Sequence, residues 1–269
     1  MDDSSGPVIV GLVELNPRGQ YLDDRNLSAR QRLWRCQVPA FDFAEWVLDL
    51  AGVAPGARVL DAGCSNGLYL RALRERGVRA VGVDLSPGML RGAVHQPLVN
   101  ADVTVLPVRD GACDVVLAAH LLDLVPDRSA AVRELRRVLV AEGTCVAVTT
   151  GAQHLRSLRD LIGTAAQAGT PGWRMRPPTG SAFTVENAAA QLRVAFTEVT
   201  CVRAAVGPVI IEDASVAADY VTSLAGHYQP EVARPWTDVA EDVREQVQAA
   251  IDATGEFRTA GDVAAFVCR

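Results

Sequence analysis

The 269-residue chain contains no lysine; all 26 of its basic residues are arginine. Schiff-base chemistry and lysine nucleophiles are thereby excluded. Its six cysteines (Cys36, Cys64, Cys113, Cys145, Cys201 and Cys268) form no Cys-x-x-Cys pair and have no histidine at ligand spacing. That scatter excludes a zinc site and a disulfide framework, and no metal is expected. Four of the six fall in apolar runs, where cysteine behaves as a small hydrophobe, and reduced thiols suit a cytoplasmic location. No apolar run approaches bilayer-spanning length. The segment Met1-Asp2-Asp3-Ser4-Ser5 is acidic and polar where a secretory signal would be basic and then apolar. A net charge of −6 gives no general electrostatic grip on nucleic acid or an anionic membrane. Arg71, Arg74, Arg76 and Arg79 do cluster, and read as a solvated helix face.

What the chain does have is an apolar fraction of 49% in a length able to bury a sizeable core. From Arg58 onward, strand and helix patterns alternate. Strands are expected at 58–62, 79–83, 99–103, 113–119 and 143–149, with helices at 67–76, 87–93 and 127–139. Such alternation implies parallel pairing with right-handed crossovers, hence an open α/β sheet. Two helices are expected before it, around Leu27–Trp34 and Ala40–Leu50. After Thr150, helices are expected at 154–168, 185–196, 214–226 and 236–253. Strands are expected at 198–206 and 263–267, with 209–211 extended, and Gly169–Gly180 reads as a mobile loop. The organisation is therefore a helical lead-in or lid (1–57), a core (58–150), and a completion of the sheet with cap insertions (151–269), within one domain overall.

The run Val59-Leu60-Asp61-Ala62-Gly63-Cys64-Ser65-Asn66-Gly67-Leu68 passes from an apolar strand through a small-residue turn into a helix. The next strand ends in Asp84. Small residues let the backbone turn sharply and approach a ligand, and a helix start offers free N–H groups. An acid after the second strand is placed to accept hydrogen bonds from ribose hydroxyls. A dinucleotide fingerprint would read G-x-G-x-x-G. Here an acid stands inside the turn, at Asp61, where it would be unwelcome beside a pyrophosphate. It suits a ligand carrying an ammonium and a sulfonium instead. An ordinary βα turn of some other α/β domain is the bland alternative.

These residues resemble motif I of the class I S-adenosylmethionine-dependent methyltransferases, with Asp84 where that family's ribose-binding acid lies and Ser65 in place of its usual second glycine. The resemblance is to the small-molecule, type 11-like enzymes related to the ubiquinone and menaquinone methyltransferases. It implies a Rossmann-like, open, mostly parallel seven-stranded sheet with helices on both faces and a helical cap. It also implies S-adenosylmethionine as cofactor and S-adenosylhomocysteine as product. The cofactor set it implies is Tyr21 and Arg30 from the lid, Asp61, Gly63, Cys64, Ser65 and Gly67 from the turn, Asp84, Leu85 and Met89 beyond the second strand, Ala101, Asp102 and Val103 beside the adenine, and Ala119. Asp102 also reads as a simple turn cap, and Tyr21 and Arg30 as surface residues.

Ligands in open α/β sheets sit beyond the carboxyl ends of strands, which places His120 near the methyl group. Its near-neutral pKa suits a general base, and a loop-carbonyl hydrogen bond is the alternative. Relatives carry an aromatic and a histidine where this chain has Asp123 and Leu124, so no base role passes to Leu124. Candidate acceptor contacts are His154, Trp173, Phe183, Tyr220 and Tyr228; for the four aromatics, core packing is the competing role. His95 and His227 look peripheral. The expected activity is methyl transfer to an oxygen or nitrogen of a small molecule, natural-product intermediates included, by a monomer or homodimer. The alternatives are methylation of a peptide or RNA, and a non-catalytic cofactor-binding scaffold.

Overall fold

The computed structural model describes residues 20–93, 97–175 and 182–269. The lead-in before Gln20, His95 and the end of the Gly169–Gly180 loop lie outside the described residues. Strands β1 (Val59–Ala62), β2 (Ala80–Asp84), β3 (Leu98–Asn100), β4 (Cys113–Ala119), β5 (Leu139–Thr150), β6 (Val199–Arg203) and β9 (Val263–Cys268) form one seven-stranded sheet in the order β3-β2-β1-β4-β5-β9-β6. The pairs β3–β2, β2–β1, β1–β4 and β4–β5 are parallel, whereas β9 runs antiparallel to both β5 and β6. The sheet is thus the open, mostly parallel one the alternation implies. Chain order reverses direction at β1, and the crevice between the ends of β1 and β4 is where such sheets bind ligands.

Burial on both faces explains the composition of the central strands. β4 reads Cys-Asp-Val-Val-Leu-Ala-Ala, a nearly continuous apolar run, because helices cover it front and back. One face packs against α5 (Arg128–Arg137) and α7 (Ala188–Leu192) around Val116, Leu135 and Phe266. The other packs against α2 (Phe43–Ala51) and α3 (Leu68–Glu75) around Val47, Leu73 and Leu117. α2 is started by Asp42, whose side chain accepts the Glu45 N–H at 3.0 Å.

A separate apolar cluster builds the cap from α6 (Arg156–Gln167), α8 (Ala214–Thr222), α9 (Ala225–Tyr228), α10 (Trp236–Thr254) and the hairpin β7 (Val209–Ile211) with β8 (Phe257–Thr259). α10 buries Trp236, Val239, Ala240, Val243 and Val247, the stripe of an amphipathic helix. α1 (Arg25–Trp34) precedes the core and joins this cluster through Leu33.

Several boundaries differ from expectation for local reasons. β3 ends at Asn100 rather than 103, because the Asp102 carboxylate accepts the Thr104 N–H at 2.8 Å and turns the chain. The helix expected over 185–196 shrinks to α7, its first turn replaced by an Asn187 side chain accepting the Thr184 N–H at 3.0 Å. The helix expected over 214–226 breaks at Ser223 into α8 and α9. β8 was not expected at all; three residues give no readable period.

Gly82 of β2 lies opposite Asp61 of β1. A Cβ there would stand 2.7 Å from the Cys64 sulfur and the Leu70 Cδ1, and 2.9 Å from the Leu98 Cδ2. Gly82→Ala is expected to cost about 1–3 kcal/mol by overpacking beneath the motif turn. Denaturant unfolding checks this, and an unchanged midpoint would contradict the packing described.

Candidate functional site

The turn between β1 and α3 is built around two acids. Asp61, the penultimate residue of β1, is 1% exposed, and its Oδ2 is buried without a hydrogen-bond partner. Burial, with the Asp84 charge adding to it, pushes its pKa up to about 7. Asp84 ends β2 and accepts the Ser65 N–H at 2.9 Å on Oδ2 and the Ser86 N–H at 2.8 Å on Oδ1. Burial raises its pKa against the lowering pull of those two N–H groups. Each carboxylate oxygen has a second lone pair, so Asp84 can organise the turn and still accept from a ligand diol.

The turn carries strain where the sequence departs from glycine. Ser65 adopts φ 50°, a left-handed conformation, and Gly63 and Gly67 flank it at 73° and 82°. Asp84 holds Ser65 there through the N–H bond, so the strain is fixed by the same acid. Asn66, next in the turn, buries an Oδ1 with no partner. Two orphan oxygens, on Asp61 and Asn66, therefore mark this turn. Asn100, at the end of β3, steadies the far side by donating to the Asp84 and Leu85 carbonyls at 2.9 and 2.8 Å.

The segment that holds Tyr21 and Leu22 runs against the helix after β2, and Arg30 reaches from it to Ser223. A side chain at Gly88, in α4 (Pro87–Gly92), would collide with the Leu22 carbonyl, so the segment crosses directly over the start of that helix. The Ser86 hydroxyl donates to the Tyr21 carbonyl at 2.5 Å. Arg30 donates to the Tyr21 hydroxyl at 3.1 Å, and to the Ser223 hydroxyl at 3.2 Å and carbonyl at 2.9 Å. Its guanidinium carbon lies 5.7 Å from the Tyr21 ring centre. Arg30 and Tyr21 thus latch the lid to the end of α8.

His120 follows β4 with φ 52°, another left-handed non-glycine. The residue is exposed, and desolvation by the surrounding protein pushes its pKa below the ordinary imidazole value. His154 follows β5. It is 8% exposed, stacks on Trp34 at 4.6 Å, and accepts the Asp262 N–H at 3.3 Å. Burial, helped by the His120 and Arg159 charges, pushes it down to about 3. Trp34 also lies 6.0 Å from the His120 ring and so links the two.

Of the remaining candidates, Ala119 ends β4 and Leu85 follows β2, both at the carboxyl ends of their strands, while Cys64, Met89 and Val103 are buried. Burial pushes the Cys64 thiol up. Ala101 and Asp102 are half-buried, with Asp102 engaged as the turn cap. Phe183 packs into the sheet core beside α7, away from the cap cluster. Trp173 and Tyr228 pack edge to face at 5.6 Å inside the cap, and Tyr220 is half-buried beside them. Residues missed by sequence reading are Trp34, Asn66, Ser86, Asn100 and Ser223. Asn66 lay inside the quoted motif; the others depend on tertiary neighbours that no local pattern reveals.

Among the described residues no group of histidine, cysteine or acidic side chains is arranged to hold a metal, and no helix is long and apolar enough to cross a membrane. The cysteines are free thiols. Residues 60–147 match the methyltransferase domain family. The chain is 36% identical over 124 residues to a malonyl-[acyl-carrier protein] O-methyltransferase of Serratia marcescens, covering 44% of this chain and 48% of that one. It is 34% identical over 98 residues to a ubiquinone biosynthesis O-methyltransferase of Bordetella avium, covering 33% and 41%. The match therefore spans less than half the length of these relatives. A crystal structure of a putative methyltransferase from an antibiotic biosynthesis pathway of Anabaena variabilis superposes with a TM-score of 0.59 at 17% identity, over 83% of this chain and 95% of that one. At that identity the likeness is one of fold.

Proposed function

We propose that this chain, which carries a methyltransferase domain over residues 60–147, transfers a methyl group from S-adenosylmethionine to an oxygen or nitrogen of a small molecule. The observation that carries the reading is the buried, unpartnered Oδ2 of Asp61, set beside a second carboxylate that still has free lone pairs. A cationic, ribose-bearing ligand satisfies both; the ribose of a dinucleotide would satisfy Asp84, but its anionic pyrophosphate would leave Asp61 unmatched. The relatives named for O-methyl transfer support oxygen as the accepting atom. The acceptors proposed include natural-product intermediates, and a cytoplasmic location is in keeping with the free thiols.

Asp61 and Asn66 would hold the amino-acid end of the cofactor, and Asp84 its ribose diol. When bound, the cofactor supplies a methyl group already activated by positive sulfur. The chain's task is then to align the acceptor and keep water away, and alignment alone can supply about 7–11 kcal/mol of a barrier. The lid, latched by Arg30 to Ser223, provides the exclusion. His120 receives the proton of an acceptor hydroxyl, and its lowered pKa keeps the ring neutral and able to do so at pH 7.

Calorimetry with S-adenosylhomocysteine tests the cofactor half, and heat from a nicotinamide dinucleotide alone would overturn it. Product formation from S-adenosylmethionine with phenol, carboxylate and amine acceptors tests the rest. Cofactor uptake without turnover of any acceptor would favour a binding-only protein instead. His120→Ala is expected to lower kcat by about 10²–10⁴-fold for a hydroxyl acceptor while cofactor affinity stays. In the wild type the rate should fall only on the acid side, below the ordinary imidazole range, as the base becomes protonated. A pH–rate profile that keeps this limb in His120→Ala would remove His120 as the base.

A further inference from the structure

A cavity of about 440 Å³ opens on α6, lined by Arg156, Arg159, Asp160, Trp173 and Arg174 among others, and none of the mechanism above uses it. Its charges are unbalanced. Arg156 pairs with Asp160 at 3.0 Å within the helix. Arg159 makes one long hydrogen bond, 3.5 Å to the Ala152 carbonyl, and Arg174 one of 3.2 Å to the Trp173 carbonyl. Among the described residues neither of these two has a carboxylate in salt-bridge reach. Two guanidiniums facing one concavity repel each other and concentrate anions there. The wall adds an unmet donor, because Trp173 is 7% exposed and its indole N–H is buried without a partner.

The geometry points to an oxyanion site in which this cavity receives the carboxylate or phosphate group of a small ligand, between Arg159 and Arg174. Guanidinium forks match planar carboxylates and phosphate oxygens through paired N–H donors. Arg159 lies on the same α6 face as Arg156, Asp160 and Gly163, which line the cavity with it. A ligand anchored on it lies beside Trp173, the aromatic residue of the lining. The inference stands independently of methyl transfer and holds whether or not the chain takes up S-adenosylmethionine.

The test uses the full chain with nitrogen-15-labelled tryptophan, titrated with malonate and with inorganic phosphate at constant ionic strength, chloride serving as the control salt. The Trp173 indole N–H resonance, assigned by its loss in Trp173→Phe, is expected to shift saturably with at least one oxyanion. Tighter malonate binding identifies a carboxylate ligand, and tighter phosphate binding a phosphate one. Arg159→Gln and, separately, Arg174→Gln are expected to weaken binding by about tenfold or more, the worth of a charge-assisted bond. Asp160→Asn, which removes the local negative charge, should tighten it. The resonances of Trp34, Trp46 and Trp236 report whether each variant remains folded. No saturable shift, an equal response to chloride, or unchanged affinity in both folded arginine variants would overturn the site.

Discussion

Asp61→Asn is expected to stabilise the ligand-free protein at pH 7 while weakening its hold on S-adenosylhomocysteine. Both effects come from one displaced titration. In the unfolded chain Asp61 ionises near the ordinary value of 3.8, and in the folded chain near 7. Between those values the folded state holds a proton that the unfolded state has lost. Stability therefore falls as pH rises from about 4 to about 7 and levels off above. The full cost is on the order of 4 kcal/mol, because each unit of pKa is worth about 1.4 kcal/mol. Asparagine carries no such cost. Denaturant unfolding across this pH range should show the slope in the wild type and a flatter line in Asp61→Asn; parallel curves would contradict a buried, uncompensated carboxylate.

A ligand bearing an ammonium group favours the charged form of Asp61 and so expels its proton. Calorimetry in buffers of different ionisation heat should report release of about half a proton on binding at pH 7, where the group is about half protonated. Affinity should then rise with pH through 6–8. Asp61→Asn should lose both the release and the pH dependence. This separates a carboxylate held in reserve for a cation from one that is merely trapped in the core.

Much of this was readable in the residues. The alternation from Arg58 to Thr150 gave the parallel half of the sheet because each strand is buried on both faces and each helix follows a turn rich in small residues. Asp61, Gly63, Gly67 and Asp84 were legible because a strand, a turn and a strand end are local events with fixed spacing. The cap was harder. Asn187 replaces a helical turn with a side-chain bond, β8 is three residues long, and α8 stops where Ser223 is drawn into the latch. Trp34 shows the limit most clearly. In sequence it is the end of an amphipathic helix, yet it stacks on His154, 120 residues further on, and borders His120.

Asp84→Ala is expected to lower affinity for S-adenosylhomocysteine by at least about a hundredfold, the loss of two hydrogen bonds from a charged acceptor at about 1.5–3 kcal/mol each. Two losses combine here. The ribose hydroxyls lose their acceptor, and the N–H groups of Ser65 and Ser86 lose theirs. Without that second pair Ser65 loses the side-chain bond that helps hold it at a positive φ, so the turn beside Asp61 should relax as well. Asp84→Asn separates the contributions, since an amide oxygen can keep one N–H bond and its NH₂ cannot replace the other. It should retain more affinity than Asp84→Ala and the same far-ultraviolet circular dichroism as the wild type. The sheet itself should survive both changes, because Asp84 ends β2 and the apolar contacts of Val81 and Val83 remain. A folded Asp84→Ala protein that binds S-adenosylhomocysteine within threefold of the wild type would mean that the ribose lies elsewhere, and the site built on these two carboxylates would fall with it.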